Sequence, residues 1–189
     1  EEYQQVKKDL ASFAGCRADE IAITRNTTES LNTVILGLKL DPGQEIIYSN
    51  LEYPSMVQAL EMRSQRYGTP IRQFDVPSHP LSTNEIVAQY ANAIGPRTKA
   101  ILVSHVVFSN GVVSPVREIA RLAHEHGIEV ICDAAHSFAH LNFRIPDLEC
   151  DYVGTSLHKW LGAPLGTGLL YIKKDKLHRV WPLFGDTEH

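Results

Sequence analysis

Cysteine is scarce. Cys16, Cys132 and Cys150 are odd in number, and none belongs to a Cys-x-x-Cys pair. That excludes a disulfide framework and points to a reducing, cytoplasmic setting, with Cys132 as a small core residue in an apolar strand. Basic runs are missing as well: 18 Lys and Arg face 22 Asp and Glu, for a formal net charge of −4. A nucleic-acid partner is therefore not expected. No apolar stretch approaches the roughly 20 residues a membrane helix needs, so no membrane partner is expected. There is no Gly-x-x-x-x-Gly-Lys-Ser/Thr, which excludes a nucleotide P-loop. The glycines at 162, 166 and 168 lack the spacing and the strand-turn-helix setting of a dinucleotide fingerprint. Metal patterns are absent too: His136 and His140 stand four apart and His124 and His126 flank Glu125, which matches neither zinc spacing nor His-Glu-x-x-His. His124 and His126 read as the solvated end of a helix, favourably placed against its dipole. Internal repeats and low-complexity segments are also missing.

What remains is an ordinary globular composition, 43% hydrophobic and 21% charged over 189 residues, enough for one domain with a sizeable core. Residues 3–14 place Val6, Leu10, Phe13 and Ala14 on one helical stripe that stops at Gly15. Strands are expected at 20–24, 45–48, 71–76, 99–107, 128–133, 152–156 and 168–172. Between them, helical periods begin near Leu31, at Pro54 (to Tyr67, stopped by Gly68), at Ser82 (to Ile94) and at Pro115 (to His126). Ala100–Val103 and Ile128–Cys132 are nearly continuously apolar, as strands covered on both faces are. The alternation predicts a three-layer α/β/α sandwich on a mostly parallel sheet, with ligands at the carboxyl ends of its strands. The chain opens on Glu1-Glu2-Tyr3 in mid-helix, without a leader pattern, and stops at Asp186–His189 without a terminal element; we expect a piece of a longer protein.

The strand ends carry the chemistry. After the first comes Asn26-Thr27-Thr28-Glu29, either an ordinary cap by Thr27 or Thr28 or an anion site of free N–H groups and hydroxyls. After the second comes Tyr53, a helix-entry staple or a ring to lie flat on a ligand. Phe108-Ser109-Asn110-Gly111 reads first as an Asn-Gly turn. Asp133 ends a buried strand, where a carboxylate is costly without a cationic partner: it is a cap, a structural ion pair or the counter-ion of a protonated ring nitrogen. Lys159 follows Tyr152-Val153-Gly154 and sits among Leu157, Trp160 and Leu161. It is either a lysine snorkelling at a strand end or a poorly solvated, nucleophilic amine.

Taken in order, Thr27-Thr28, Asp133 and Ser156-Leu157-His158-Lys159 resemble the class V aminotransferase group of pyridoxal-phosphate (PLP) enzymes, over nearly the whole chain. Thr24–Asn32 and Glu52-Tyr53-Pro54 look most like its isopenicillin N epimerase-like branch. The resemblance implies an aspartate aminotransferase-like large domain over residues 1–189, without the family's N-terminal segment and small C-terminal domain. It implies that Lys159 is catalytic, carrying pyridoxal 5'-phosphate as a Schiff base and shuttling the Cα proton. It implies that Asp133 pairs with the ring nitrogen, that Thr27, Thr28, Ser156 and His158 hold the phosphate, and that Tyr53 and His136 stand where desulfurases carry a stacking histidine and a ring-binding glutamine. Phe108 departs from the Asn or Ser common at its position, and Ser109 or Asn110 would have to replace that contact. An amino-acid substrate and a homodimer follow from the same resemblance. A cysteine desulfurase or lyase of the same group is the alternative, although none of the three cysteines matches the desulfurase nucleophile. A non-catalytic scaffold is the alternative of another class.

Overall fold

The structure, a computed structural model, describes residues 1–183; the expected lack of a terminal element at 186–189 lies outside the described residues. Five helices and seven strands alternate: α1 (Glu2–Ala14), β1 (Ile21–Thr24), α2 (Thr27–Gly37), β2 (Glu45–Ser49), α3 (Pro54–Tyr67), β3 (Ile71–Phe74), α4 (Thr83–Ala93), β4 (Thr98–Ser104), α5 (Val116–Glu125), β5 (Glu129–Asp133), β6 (Tyr152–Ser156) and β7 (Gly168–Ile172). They form one sheet in the order β1-β7-β6-β5-β4-β2-β3. Pairings from β6 to β3 are parallel, whereas β7 runs antiparallel to both β6 and β1. Because β1 and β6 flank an antiparallel strand, they point the same way. The carboxyl ends of β1, β2, β4, β5 and β6 therefore share one edge.

Alternating strand residues build two cores. Ile46, Leu102, Ile131, Tyr152 and Leu170 meet α2 and α3 on one face. Ile47, Ile101, Val130, Val153 and Leu169 meet α1, α4 and α5 on the other. The apolar runs of β4 and β5 are buried throughout, as strands covered on both faces require. Helix punctuation follows local chemistry. Pro54 opens α3 at its first turn, and Gly68 closes it in the left-handed region at φ 67°.

Two strand ends and one histidine differ from the sequence expectation. The strand expected over 99–107 ends at Ser104. Beyond it, Val107 N–H donates to the Val112 carbonyl and Ser114 N–H to the His105 carbonyl. The apolar residues Val106 and Val107 thus continue into a loop that closes its own backbone bonds through the Asn110-Gly111 turn. The strand expected to reach 76 stops at Phe74, and Val76 N–H donates instead to Asn50 Oδ1. His124 is not merely a solvated helix end: its Nε2 lies 3.0 Å from Asp151 Oδ2, while His126 Nδ1 donates to the Leu122 carbonyl.

Close packing of α2 against the sheet depends on two residues without side chains. A Cβ on Gly154 would sit 2.6 Å from Leu31 Cδ2, and one on Gly168 would sit 2.6 Å from the backbone of Asn26. At Gly154 the branch carbon of fully buried Leu31 is equally close, and at Gly168 the contact is the backbone that starts α2, so neither site has room for a side chain. Gly168→Ala is expected to cost about 2–3 kcal/mol of stability through overpacking, measured by urea unfolding, and to displace the start of α2.

Candidate active site

The aligned strand ends and the start of α2 enclose a cavity of about 200 Å3. Its walls bring together eight residues singled out in the sequence: Thr27, Thr28 and Tyr53 from the N-terminal third, Asp133 and His136 at and beyond the end of β5, and Ser156, His158 and Lys159 at and beyond the end of β6.

One end of the cavity is a hydroxyl cluster at the start of α2. The cap is Asn26, not Thr27 or Thr28: Asn26 has extended backbone, and its Oδ1 accepts from Glu29 N–H. Thr27 is already helical, so neither threonine is spent on capping. Thr27 Oγ1 lies 2.7 Å from Ser156 Oγ, which also accepts from Thr27 N–H at 2.9 Å. Thr28 is exposed, and its N–H has no partner among the described residues. His158 stands close by, with Nδ1 donating to the Thr167 carbonyl.

At the end of β5, Asp133 is buried, and Oδ1 accepts from Ala135 N–H at 2.9 Å. Its segment is pinned by backbone bonds: His105 N–H donates to the Asp133 carbonyl and Ala134 N–H to the Gly154 carbonyl. No second donor among the described residues reaches the carboxyl. Burial pushes its pKa up to about 6; the bond from Ala135 and the charge of Lys159 pull the other way.

Lys159 rides on the loop between β6 and β7. That loop is closed by Leu157 N–H to Thr167 and Ala163 N–H to Leu157, with Gly162 in the left-handed region. The lysine is more open than its neighbours implied. Leu157 is buried, but Trp160 turns outward and stacks on His140 at 3.7 Å between ring centroids. Nζ still lies among enough protein atoms that desolvation, opposed by the Asp133 carboxylate, lowers its pKa. Lys159 Nζ and His136 Nε2 share a 3.1 Å hydrogen bond. Burial first, then the lysine charge, holds the His136 pKa down, so the pair competes for one proton.

Tyr53 lies with its ring 6.0 Å from Lys159 Nζ and edge-on to Phe108. Phe108 itself lines the cavity, whereas Ser109 and Asn110 do not. Asn110 is committed to its loop, donating to the Ser78 carbonyl and accepting from Val112 N–H. Sequence reasoning missed Ser104, Met56 and Val106 on the walls. Ser104 was detectable as the polar residue that ends the apolar run of β4. Met56 and Val106 carry no signal beyond their apolarity.

The profile of the Aminotransferase class-V family matches residues 1–188. The chain belongs to that family. It is 34% identical to isopenicillin N epimerase of Streptomyces clavuligerus over 94% of this chain and 45% of that protein. It is 32% identical to a probable cysteine desulfurase of Synechocystis sp. over 98% of this chain and 44% of that protein. Among solved structures, the cystine C-S lyase C-DES bound to its product cysteine persulfide superposes with a TM-score of 0.91 at 30% identity, covering 96% of this chain and 49% of that one. A C-DES mutant with glycine covalently linked to its PLP cofactor gives 0.89 at 29% identity, covering 96% and 48%. The chain thus spans about half the length of the class-V relatives it matches. These likenesses accord with the seven-stranded, mostly parallel α/β fold.

The raised pKa of Asp133 has a definite sign. A carboxyl that holds its proton more tightly when folded stabilises the fold below pH 4, and that stability is lost as pH rises through about 6. For the protein without ligand, Asp133→Asn is expected to remove a loss of about 3 kcal/mol over that interval. The check is the difference between wild-type and variant unfolding free energies across pH 4–7; equal slopes would count against a buried, uncompensated Asp133.

Proposed function

We propose that this chain is the large, cofactor-binding domain of a pyridoxal 5'-phosphate enzyme acting on an amino acid, with isopenicillin N epimerase-type chemistry. The observation that carries this is the joint lining of one cavity by Lys159, Asp133 and the Thr27–Ser156 hydroxyl cluster. A buried carboxyl with an unused oxygen fits a ligand that brings its own N–H. A helix start with a paired Thr27–Ser156 hydroxyl cluster, the exposed Thr28 and its free N–H fits a phosphate. The donor set therefore matches both ends of the cofactor.

When bound, pyridoxal phosphate supplies an electron-withdrawing ring that stabilises negative charge at the substrate Cα. The chain's own residues do the rest. Asp133 accepts a hydrogen bond from the protonated ring nitrogen and keeps that proton in place. Thr27, Thr28 and Ser156 hold the phosphate. His158, with Nδ1 committed to Thr167, offers the phosphate a second donor at Nε2 only as imidazolium. Tyr53 covers one face of the ring. Lys159 would hold the cofactor and serve as the base for the Cα proton; its lowered pKa favours the neutral amine this requires. His136 holds the lysine nitrogen in the cavity. A cytoplasmic homodimer is the expected assembly.

A cysteine desulfurase or lyase is the alternative, favoured by the likeness to the Synechocystis protein and to C-DES. Among the described residues no cysteine lines the cavity, and Cys132 and Cys150 are buried in the core. A thiol nucleophile would have to reach the cavity from outside these residues. A non-catalytic relative would have no use for an uncompensated Asp133.

Full-length protein is expected to be yellow, and borohydride should fix the cofactor to Lys159, located by peptide mass; protein that stays colourless with added PLP would reject the proposal. Loss of optical purity in an amino acid supports epimerisation, whereas sulfide release from cysteine alone favours the desulfurase. Thr27→Ala should weaken PLP binding by about tenfold or more, since hydrogen bonds to charged groups are worth about 1.5–3 kcal/mol, as read by fluorescence titration.

A further inference from the structure

Glu52 is a second buried carboxyl beside the cavity, and the functions assigned above do not use it. It lies in the turn between β2 and α3, directly before Tyr53. Ser49 Oγ is hydrogen-bonded to its Oε1 at 2.8 Å and Ser104 Oγ to its Oε2 at 2.7 Å. Ser49 ends β2 and Ser104 ends β4, so one side chain bridges the tips of two paired strands. Ser104 also lines the cavity and stands opposite Asp133 in the β4–β5 register.

The groups facing Glu52 are Asp133 and Cys132 from β5 and Tyr90 from α4; none is a cation. Lys159 attends Asp133 instead. Two buried carboxyls one strand apart do not both ionise beside a single amine. Hydroxyl protons lead to the same assignment. An ionised Glu52 uses the protons of both serines, and Ser104 then presents only lone pairs to the cavity it lines. A neutral Glu52 can give its own proton to Ser104 Oγ, which frees the serine proton to point into the cavity.

We propose that Glu52 is a positioning residue for the end of the cavity that Asp133 lines: held as a neutral acid between Ser49 and Ser104, it ties the tips of β2 and β4 together and leaves the Ser104 hydroxyl proton free for the cavity beside Asp133. The charge that meets the ligand then resides on Asp133 alone. Burial, the largest influence on Glu52, pushes its pKa up to about 8, whereas Asp133 reaches about 6, so Asp133 ionises first. The service to cofactor binding rests on the PLP proposal; the proton assignment does not.

The test uses full-length protein stripped of cofactor and labelled with 13C at Asp and Glu carboxyls. Asp133 should titrate first and Glu52 near 8, with the later step absent from Glu52→Gln. In PLP titrations Glu52→Gln, a neutral isostere, should bind within about threefold of wild type, while Glu52→Ala should lose roughly tenfold or more. Glu52 ionising before Asp133, or Glu52→Gln as impaired as Glu52→Ala, would each overturn the proposal. Should wild type bind no PLP, the functional proposal fails, and the carboxyl titrations still decide this one.

Discussion

The hydroxyl pair Thr27–Ser156 joins positions 129 apart in sequence, and the site depends on it. It fastens the start of α2 to the end of β6, the strand that leads into Lys159. Such a short contact is possible because α2 lies almost on the sheet, over Gly154 and Gly168. A side chain at either glycine would separate helix from sheet, and the two hydroxyls would no longer meet. Packing density under α2 is thus converted into the position of a polar cluster, with Asn26 taking over the cap so that both threonine hydroxyls stay available.

Charge is distributed around the cavity with the same economy. The buried strand end concentrates two carboxyls, Asp133 and Glu52, near one amine, Lys159. Burial raises both acids and lowers the lysine, so each is driven toward its neutral form and only specific contacts decide which charge survives. Asp133 has the lysine and the amide of Ala135; Glu52 has only hydroxyls. The stability lost by leaving Asp133 uncompensated is the signature of a group placed for a ligand rather than for the fold.

Much of this was legible in the sequence. Proline and glycine mark α3 at both ends because their backbone preferences act locally, and the apolar runs of β4 and β5 mark the centre of the sheet because both faces are covered. Asp133 stood out as a carboxylate ending a buried strand and Lys159 as an amine among apolar neighbours, whereas Thr27 read equally well as an ordinary cap and gained its role only from the resemblance. Other features depend on long-range contacts. The end of β4 is set by where β5 stops offering partners, and Val106 and Val107 look like strand until their loop is seen to close on itself. The outward turn of Trp160 depends on His140 being there to stack on. Which of Asn26, Thr27 and Thr28 caps α2 is decided by one backbone conformation that all three side chains could support.

The placement of β7 also bears on how the molecule is made. β1 precedes the other six strands described here, yet its partner in the sheet is β7: Ile21 pairs with Tyr171 and Thr24 with Gly168. β7 itself needs only the preceding β6, which it joins as a hairpin across the lysine loop. During synthesis the early helix and strand must therefore wait, unpaired, until nearly all of the described chain has been translated. The loop bearing Lys159 can form locally, but the threonines that face it arrive by closing the longest circuit in the sheet. Closure of the sheet beside the cavity thus waits for β7, and until then the start of α2 is held against β6 by helix packing and the Thr27–Ser156 contact, with β1 unpaired.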